Sequence, residues 1–323
     1  MSLSGDFDDA SYDRARMSAL HSGAKSGGAL ERLDALLDWS PIAEPLGRLH
    51  ASAKGEAAWP PLAMFKALLL SVWYDLSDVK LAEALDDRAS FRRFCGFSSN
   101  EPTPEHTAFV RFRRAPVMAE LDRILFETIT AQLKARSVTV KTGTIVDATI
   151  IASAREGDVD GRWVKHKNKP AVHGFKAHVG ADADTALVEE IAITPANGND
   201  GRAGPDTLPP GARRCLRRQR LSRSPLRPGH SRKRRSTTHH RHSDVGPRRN
   251  RNTGAGTLAR LSAFNAAIQR VRARIEKIFG TWKRSYGLRR MRWRGLAKAS
   301  AQVRLTAIAY NLKRSLSISR QIA

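Results

Sequence analysis

Between Ser137 and Ser153 the chain reads SVTVKTGTIVDATIIAS, a β-branched run that alternates with a period of two in places. Side chains branched at Cβ suit a pleated strand and crowd the turn of a helix, so this run predicts a strand. Segments of helical spacing lie on both sides of it. A chain ordered in this way needs a sheet covered by helices that arrive from both directions, an α+β arrangement.

Upstream, WPPLAMFKALLLSVWYDLS opens on prolines and spaces Leu62, Phe65, Leu69, Val72 and Trp73 as one helical face, which predicts a core helix. Ser77 is placed to cap a helix over DVKLAEALDDR, and a short helix follows around Phe91–Phe94. Thr103-Pro104-Glu105 reads as the start of a helix that turns Ala108, Phe109 and Phe112 inward, and Pro116 as the start of a longer one reaching Arg136. After the first strand, EGDVDGRWVKHKNKP reads as a polar loop. HGFKAHVGADAD and TALVEEIAITPAN then read as an antiparallel strand pair joined at Asp182–Asp184. Leu261, Phe264, Ile268, Val271, Ile275 and Ile278 step by three and four, an amphipathic helix stopped at Gly280, and GLAKASAQVRLTAIAYNLKRS forms a last helix. The expected organisation is a polar N-terminus over 1–32, a helical domain over 33–136, the first half of a core over 137–207, a basic irregular segment over 208–255 and a helical second half over 256–323.

Charge narrows the partner. The 323 residues carry 56 Lys and Arg against 31 Asp and Glu, a net +25. Leu208–Ala255 alone holds fifteen Lys and Arg and one Asp, yet the remainder is basic too, which favours a polyanionic partner. Cys95 and Cys215 form neither a metal-ligand nor a redox spacing, which fits a reducing cytosol. The opening MSLSGDFDDASYDR is too polar and acidic for a signal peptide. The longest apolar run, Leu62–Trp73, is interrupted by Lys66 and too short for a bilayer, so a soluble cytoplasmic protein with no membrane partner is expected.

Asp147 stands in the middle of the apolar TIVDATI. It is either an outward-facing strand residue or a ligand for a hard cation. His173, Lys176 and His178 come from a neighbouring strand. Glu276 comes from the long helix, with Arg272 one turn earlier. A strand Asp and a helix Glu can share Mg²⁺ (or Mn²⁺) and serve an in-line phosphodiester displacement. The plain alternative for Glu276 is a surface pair with Arg272 worth about 0.2–0.5 kcal/mol. Spacing does not choose between them. Trp163, Trp282 and Trp293 could each stack on a base, and core packing is the favoured role for all three.

TIVDATII, HGFKAHVGADADTALVEEIAITPAN and RVRARIEKIFGTWKRSYGLRRMRWRGLAKA together resemble bacterial insertion-sequence transposases of the IS-five group, within the DDE superfamily. WPPLAMFKALLLSVWYDLSD, FRRFCGF and PTPEHTAFVRFR resemble that group's N-terminal domain. The likeness runs from about Leu33 to Arg314 and skips the basic segment. Its Arg-x3-Glu-x6-Lys signature is met by Arg272, Glu276 and Lys283, with Gln269 where the signature leads with Tyr. The resemblance implies an all-helical DNA-binding domain followed by a ribonuclease-H-like α/β catalytic core, disrupted here by the basic irregular segment. It implies three carboxylates with Mg²⁺ or Mn²⁺ that cut transposon ends and join them to target DNA. Asp147 becomes the first carboxylate and Glu276 the last, both as metal ligands, while Arg272 and Lys283 touch phosphate or orient the Glu. Arg111, Arg113 and Arg114 in the helical domain, and His173, Lys176 and Arg284 in the core, become DNA contacts. The partner is double-stranded DNA, both ends and target, bound by a homodimer at the nucleoid.

The resemblance places the middle Asp inside Leu208–Ala255, where no residue fits. Asp200 and Asp206 fall too early, and Asp244 lacks strand surroundings. RRQRLSR (Arg217–Arg223) can be encoded as CGG CGA CAG CGC CTA TCG CGG, which read one nucleotide later gives Gly-Asp-Ser-Ala-Tyr-Arg. That string resembles the absent motif, with its Asp across the codons of Arg218 and Gln219. Two compensating frameshifts, near Pro209 and Gly256, are therefore expected, with a segment between them that does not pack and a chain that is catalytically inactive as translated. The alternatives are a non-catalytic DNA-binding protein derived from a transposase, and a basic arm that grips DNA through counterion release.

Overall fold

The structure, a computed structural model, describes residues 28–49, 58–118, 120–136, 143–165, 170–199, 203, 205–209, 214–218, 236–240 and 272–322. Helices α1 (Ala29–Asp34), α2 (Ser40–Gly47), α3 (Pro61–Trp73), α4 (Asp78–Asp87), α5 (Ala89–Cys95), α6 (His106–Met118) and α7 (Leu121–Arg136) precede the sheet. The proline-opened run is their centre: α3 is buried from Ala63 to Trp73 on every side. That burial includes Lys66, whose ammonium bonds Asp34 at 2.7 Å and lies 4.3 Å over the Trp39 ring, so its charge is paired rather than stranded. Ser77 caps α4 as the sequence predicts, its hydroxyl accepting the Lys80 amide at 3.3 Å.

Three helix boundaries differ from expectation. The Thr103 hydroxyl donates to the Asp86 carboxylate across to α4 instead of capping its own helix, and α6 begins at His106. Pro116 lies within α6 and costs it a backbone donor near its end. The break comes after Met118, where Glu120 takes a left-handed φ of 54°. Gly280 does not stop its helix, α8, described over 272–284; the buried Trp282 anchors the added turn, and Gly287 at φ 65° lets the chain leave. The predicted face residues Leu261, Phe264, Ile268 and Val271 lie outside the described residues.

The sheet is built on β3 (Val172–Asp182). Along one edge β3 pairs antiparallel with β1 (Thr144–Ala152) over nine residues, from Thr144↔Asp182 to Ala152↔Gly174. Along the other it pairs antiparallel with β2 (Arg162–Val164) and then with β4 (Val188–Pro195). The turn into β4 is tied by Asp182, whose Oδ1 accepts from the amides of Asp184 and Thr185 and from the Thr185 hydroxyl. β2 is an addition to the expected organisation, since it forms inside the stretch read as a polar loop.

The basic segment also departs from expectation. Two of its stretches, β5 (Arg214–Arg218) and β6 (Ser236–His240), join the sheet, β5 parallel to β1 and β6 parallel to β5. The order is β2-β3-β1-β5-β6, with β4 beside β3. The outer edge of β1 offers a row of N–H and C=O groups, and these recruit backbone whatever side chains it carries. Periodicity in the sequence reports side chains and so misses such a strand.

The last helix, α9 (Leu296–Ile322), ties both halves together. Its first amides are capped from the loop after β1: the Asp158 carboxylate accepts the Gly295 amide at 2.9 Å and Asp160 the Leu296 amide at 2.8 Å. The Trp73 indole donates to the Ala309 carbonyl at 2.8 Å, and Arg304 pairs with Asp122 on α7. The Asn311 side chain reads the backbone of β4 from both sides, accepting the Val188 amide at 2.8 Å and donating to its carbonyl at 2.7 Å. Helices and sheet thus share one hydrophobic cluster, from Leu30 through Leu312. Replacing Asn311 by Leu leaves two buried backbone groups of Val188 unpaired and is expected to destabilise the fold by about 2–4 kcal/mol in urea unfolding. Asp160→Ala should cost about 1 kcal/mol in the same assay.

Candidate active site

Asp147 sits at the fourth position of β1, half-buried among apolar neighbours. Both of its oxygens are engaged. Oδ1 accepts the Ala148 amide at 2.8 Å, and Oδ2 accepts Arg272 Nη2 from α8 at 3.3 Å. The ion pair of Arg272 among the described residues is therefore with the strand, not with Glu276 one turn along. Helix α8 is held against the sheet by the buried Ile275, Ile278 and Trp282. Lys283 fixes its far end by donating to the Ile150 carbonyl at 2.8 Å. Arg272 thus meets β1 at Asp147 and Lys283 meets it three residues further on, while Glu276, between them in the chain, is exposed.

The other flank of Asp147 is β5. Its parallel register pairs Thr144 with Cys215, Ile145 with Leu216 and Val146 with Arg217. That register ends one residue before Asp147, and the residue that follows Arg217 in β5 is Arg218.

The strand HGFKAH does not gather its polar side chains around Asp147, because alternate residues of β3 face opposite ways. Val179 opposes Asp147, so His173 shares its face but lies six residues away. There it is buried, with Nδ1 2.7 Å from the Ser153 hydroxyl. Lys176 and His178 belong to the other face, opposite Ile150 and Ala148. Lys176 Nζ donates to the Gly198 carbonyl at 2.7 Å, and His178 Nε2 lies 3.0 Å from the Thr194 hydroxyl. In the helical part, Arg111 and Arg114 are exposed, as is Arg284 on α8. Arg113 is not available in the same way: it forms a two-point pair with Asp78, one contact at 2.8 Å, and lies 5.2 Å from the Trp293 ring centre. Of the residues expected to meet DNA, Arg113, His173 and Lys176 are therefore committed internally in this structure.

The tryptophans divide. Trp282 is fully buried and Trp293 half-buried, in keeping with core packing, whereas Trp163 stands out on β2 at 53% exposure. Sequence reasoning also missed the capping pair Asp158 and Asp160, although two acids flanking a turn ahead of a distant Gly-Leu were visible signals.

A divalent cation needs several carboxylate oxygens free to converge on it. Among the described residues no three His, Cys, Asp or Glu side chains form such a group. Asp147 spends both oxygens on N–H donors and has Arg272 as its counter-ion. As arranged, these residues do not fit a two-metal site. Among the described residues no helix is long and apolar enough to cross a membrane.

Two family models match the chain. One, described as a transposase domain (DUF772), covers residues 19–115, the region of α1–α6. The other, described as a transposase DDE domain, covers residues 139–312, from just ahead of β1 into α9. No solved structure matches the chain. Because the second model spans more than half of the sequence and contains both Asp147 and Glu276, the chain belongs to the DDE transposases.

Proposed function

We propose that the chain is an insertion-sequence transposase of the IS-five kind by descent. In this reading it binds the terminal repeats of its element as a dimer and lacks the Mg²⁺- or Mn²⁺-dependent cleavage and strand transfer of its relatives. A ribonuclease-H-like core is supported by the strand order: three antiparallel strands, β4, β3 and β1, continued by two that run parallel to β1. DNA binding is supported by the net charge of +25 and by the exposed Arg111, Arg114 and Arg284.

One observation carries the inactive reading. The β1–β5 register ends at Val146↔Arg217, one residue before Asp147, and the next residue of β5 is Arg rather than an acid. With the codons considered above, a frame shifted by one nucleotide would put an Asp across codons 218 and 219. In this reading a carboxylate in β5 would complete the site, and Arg218 offers a metal ion none. Replacing a metal ligand by a cation removes both the charge and the lone pairs that phosphoryl transfer needs. Asp147 and Glu276 remain as the surviving carboxylates, with Arg272 as a neutralising partner rather than a phosphate clamp.

In an end-cleavage assay on the element's terminal repeats, neither Mg²⁺ nor Mn²⁺ is expected to support nicking. Metal-dependent nicking that disappears in Asp147→Ala would sink the inactive reading. The gene offers a separate check, since its second frame between codons 209 and 256 must encode the Asp-Ser-Ala-Tyr string. Binding tests the role of Arg272. Asp147→Asn releases its guanidinium, so the slope of log K against log salt on duplex DNA is expected to steepen by about 0.9, one added phosphate contact. An unchanged slope would place Arg272 away from the DNA.

A further inference from the structure

The end of α3, the loop after α8 and the middle of α9 meet around one amine. The Trp73 indole donates to the Ala309 carbonyl at 2.8 Å, which fixes its ring one helical turn before Lys313. From the loop, Gly287 lies so close to Asp75 that an added Cβ would sit 2.1 Å from the carboxylate. That approach seats the preceding residue of each segment, Tyr286 and Tyr74, on the same side chain. Lys313 Nζ is 5.9 Å from the Trp73 ring centre and 5.7 Å from those of Tyr74 and Tyr286. Trp73 and Tyr286 are buried and Tyr74 half-buried. Lys313 as a residue is open to solvent, yet three rings crowd its amine.

Among the described residues no anion compensates that amine. Asp75, the acid next to these rings in the chain, is paired with Arg292. From Lys277 to Ala323 the sequence holds no Asp or Glu, so α9 supplies none of its own. The phenols stay neutral. Burial holds Tyr74 and Tyr286 above the usual range and pushes Tyr310, one turn before Lys313, up to about 12. The neighbouring cations are engaged elsewhere: Arg314 donates to the Thr185 carbonyl at 2.7 Å, and Arg88 lies over the Phe91 ring. Ring faces at nearly 6 Å, the outer reach of a cation–π contact, return little of the hydration an ammonium gives up. Lost hydration draws the Lys313 amine down to about 8.

We propose that Lys313 is a covalent acylation site for small acyl phosphates. The neutral amine attacks the acyl carbonyl carbon and forms a C–N bond. The C–O bond to phosphate breaks, phosphate leaves with that electron pair, and the nitrogen loses a proton to water. A desolvated amine is the form in which lysine acts as a nucleophile near neutral pH. The rings crowd the amine, which favours a small donor, and the acid-free basic surroundings of α9 attract an anionic one. The product amide is uncharged, so the reaction removes a charge that the rings compensate poorly.

The full chain is incubated with acetyl phosphate over a pH series, and the modified lysines are quantified by peptide mass spectrometry. At about pH 7.5 Lys313 should react roughly tenfold faster than the exposed Lys80, Lys277 and Lys298. Its rate should level off above about pH 8. Tyr74→Ser, matched to the parent in thermal melting, readmits water to the amine and should bring Lys313 down to the rate of the other three. Equal rates at all four lysines in the parent overturn the proposal, as does a Lys313 rate that climbs with pH without levelling. An undiminished rate in Tyr74→Ser overturns it too, because the rings are then not the cause. Should Tyr74→Ser fail to fold, the rates and pH profile of the parent decide by themselves.

Discussion

The antiparallel register between β1 and β3 fixes almost everything else at the functional end of the molecule. Once Asp147 opposes Val179, the pleat decides which residues of β3 can share its surroundings. It sends Lys176 and His178 to the opposite face and leaves His173 six residues distant. It also sets the outer edge of β1, along which β5 pairs with Thr144, Ile145 and Val146. A slip of one residue would exchange the two faces and bury Asp147's charge against the other layer.

Electrostatics at this point run opposite to a cation site. A lone carboxylate on a half-buried strand needs compensation, and Arg272 supplies it at 3.3 Å, with the Ala148 amide on the other oxygen. Such a pair contributes little net stability, because both groups give up hydration to form it. Removing one member leaves the other exposed to an incomplete environment.

Much of this was legible in the sequence. The core role of α3, the Ser77 cap, the Asp182 turn and the antiparallel pair all rest on side-chain pattern, and each is found in the structure, with α3 buried all round rather than on one face. The meeting of α8 with β1 was legible only through the resemblance, since helical spacing alone allowed an Arg272–Glu276 pair. What stayed hidden is what side chains do not encode. β5 and β6 form through main-chain edges, and β2 is three residues long. The capping of α9 by Asp158 and Asp160 spans more than 130 positions. Trp163 was misjudged because an aromatic residue in a short polar stretch carries no periodicity to say whether it turns in or out.

The dependence of both halves on α9 has a consequence for the order of events during synthesis. The indole of Trp73 waits for Ala309, Asp122 for Arg304, and the backbone at Val188 for Asn311. Each partner leaves the ribosome well over a hundred residues after the group it satisfies. The helical region therefore emerges with an unfilled groove and cannot close as a finished unit while translation continues. Folding of this kind is slow and rich in non-local contacts, and until α9 arrives the nascent chain keeps apolar surface open to chaperones and to neighbouring copies.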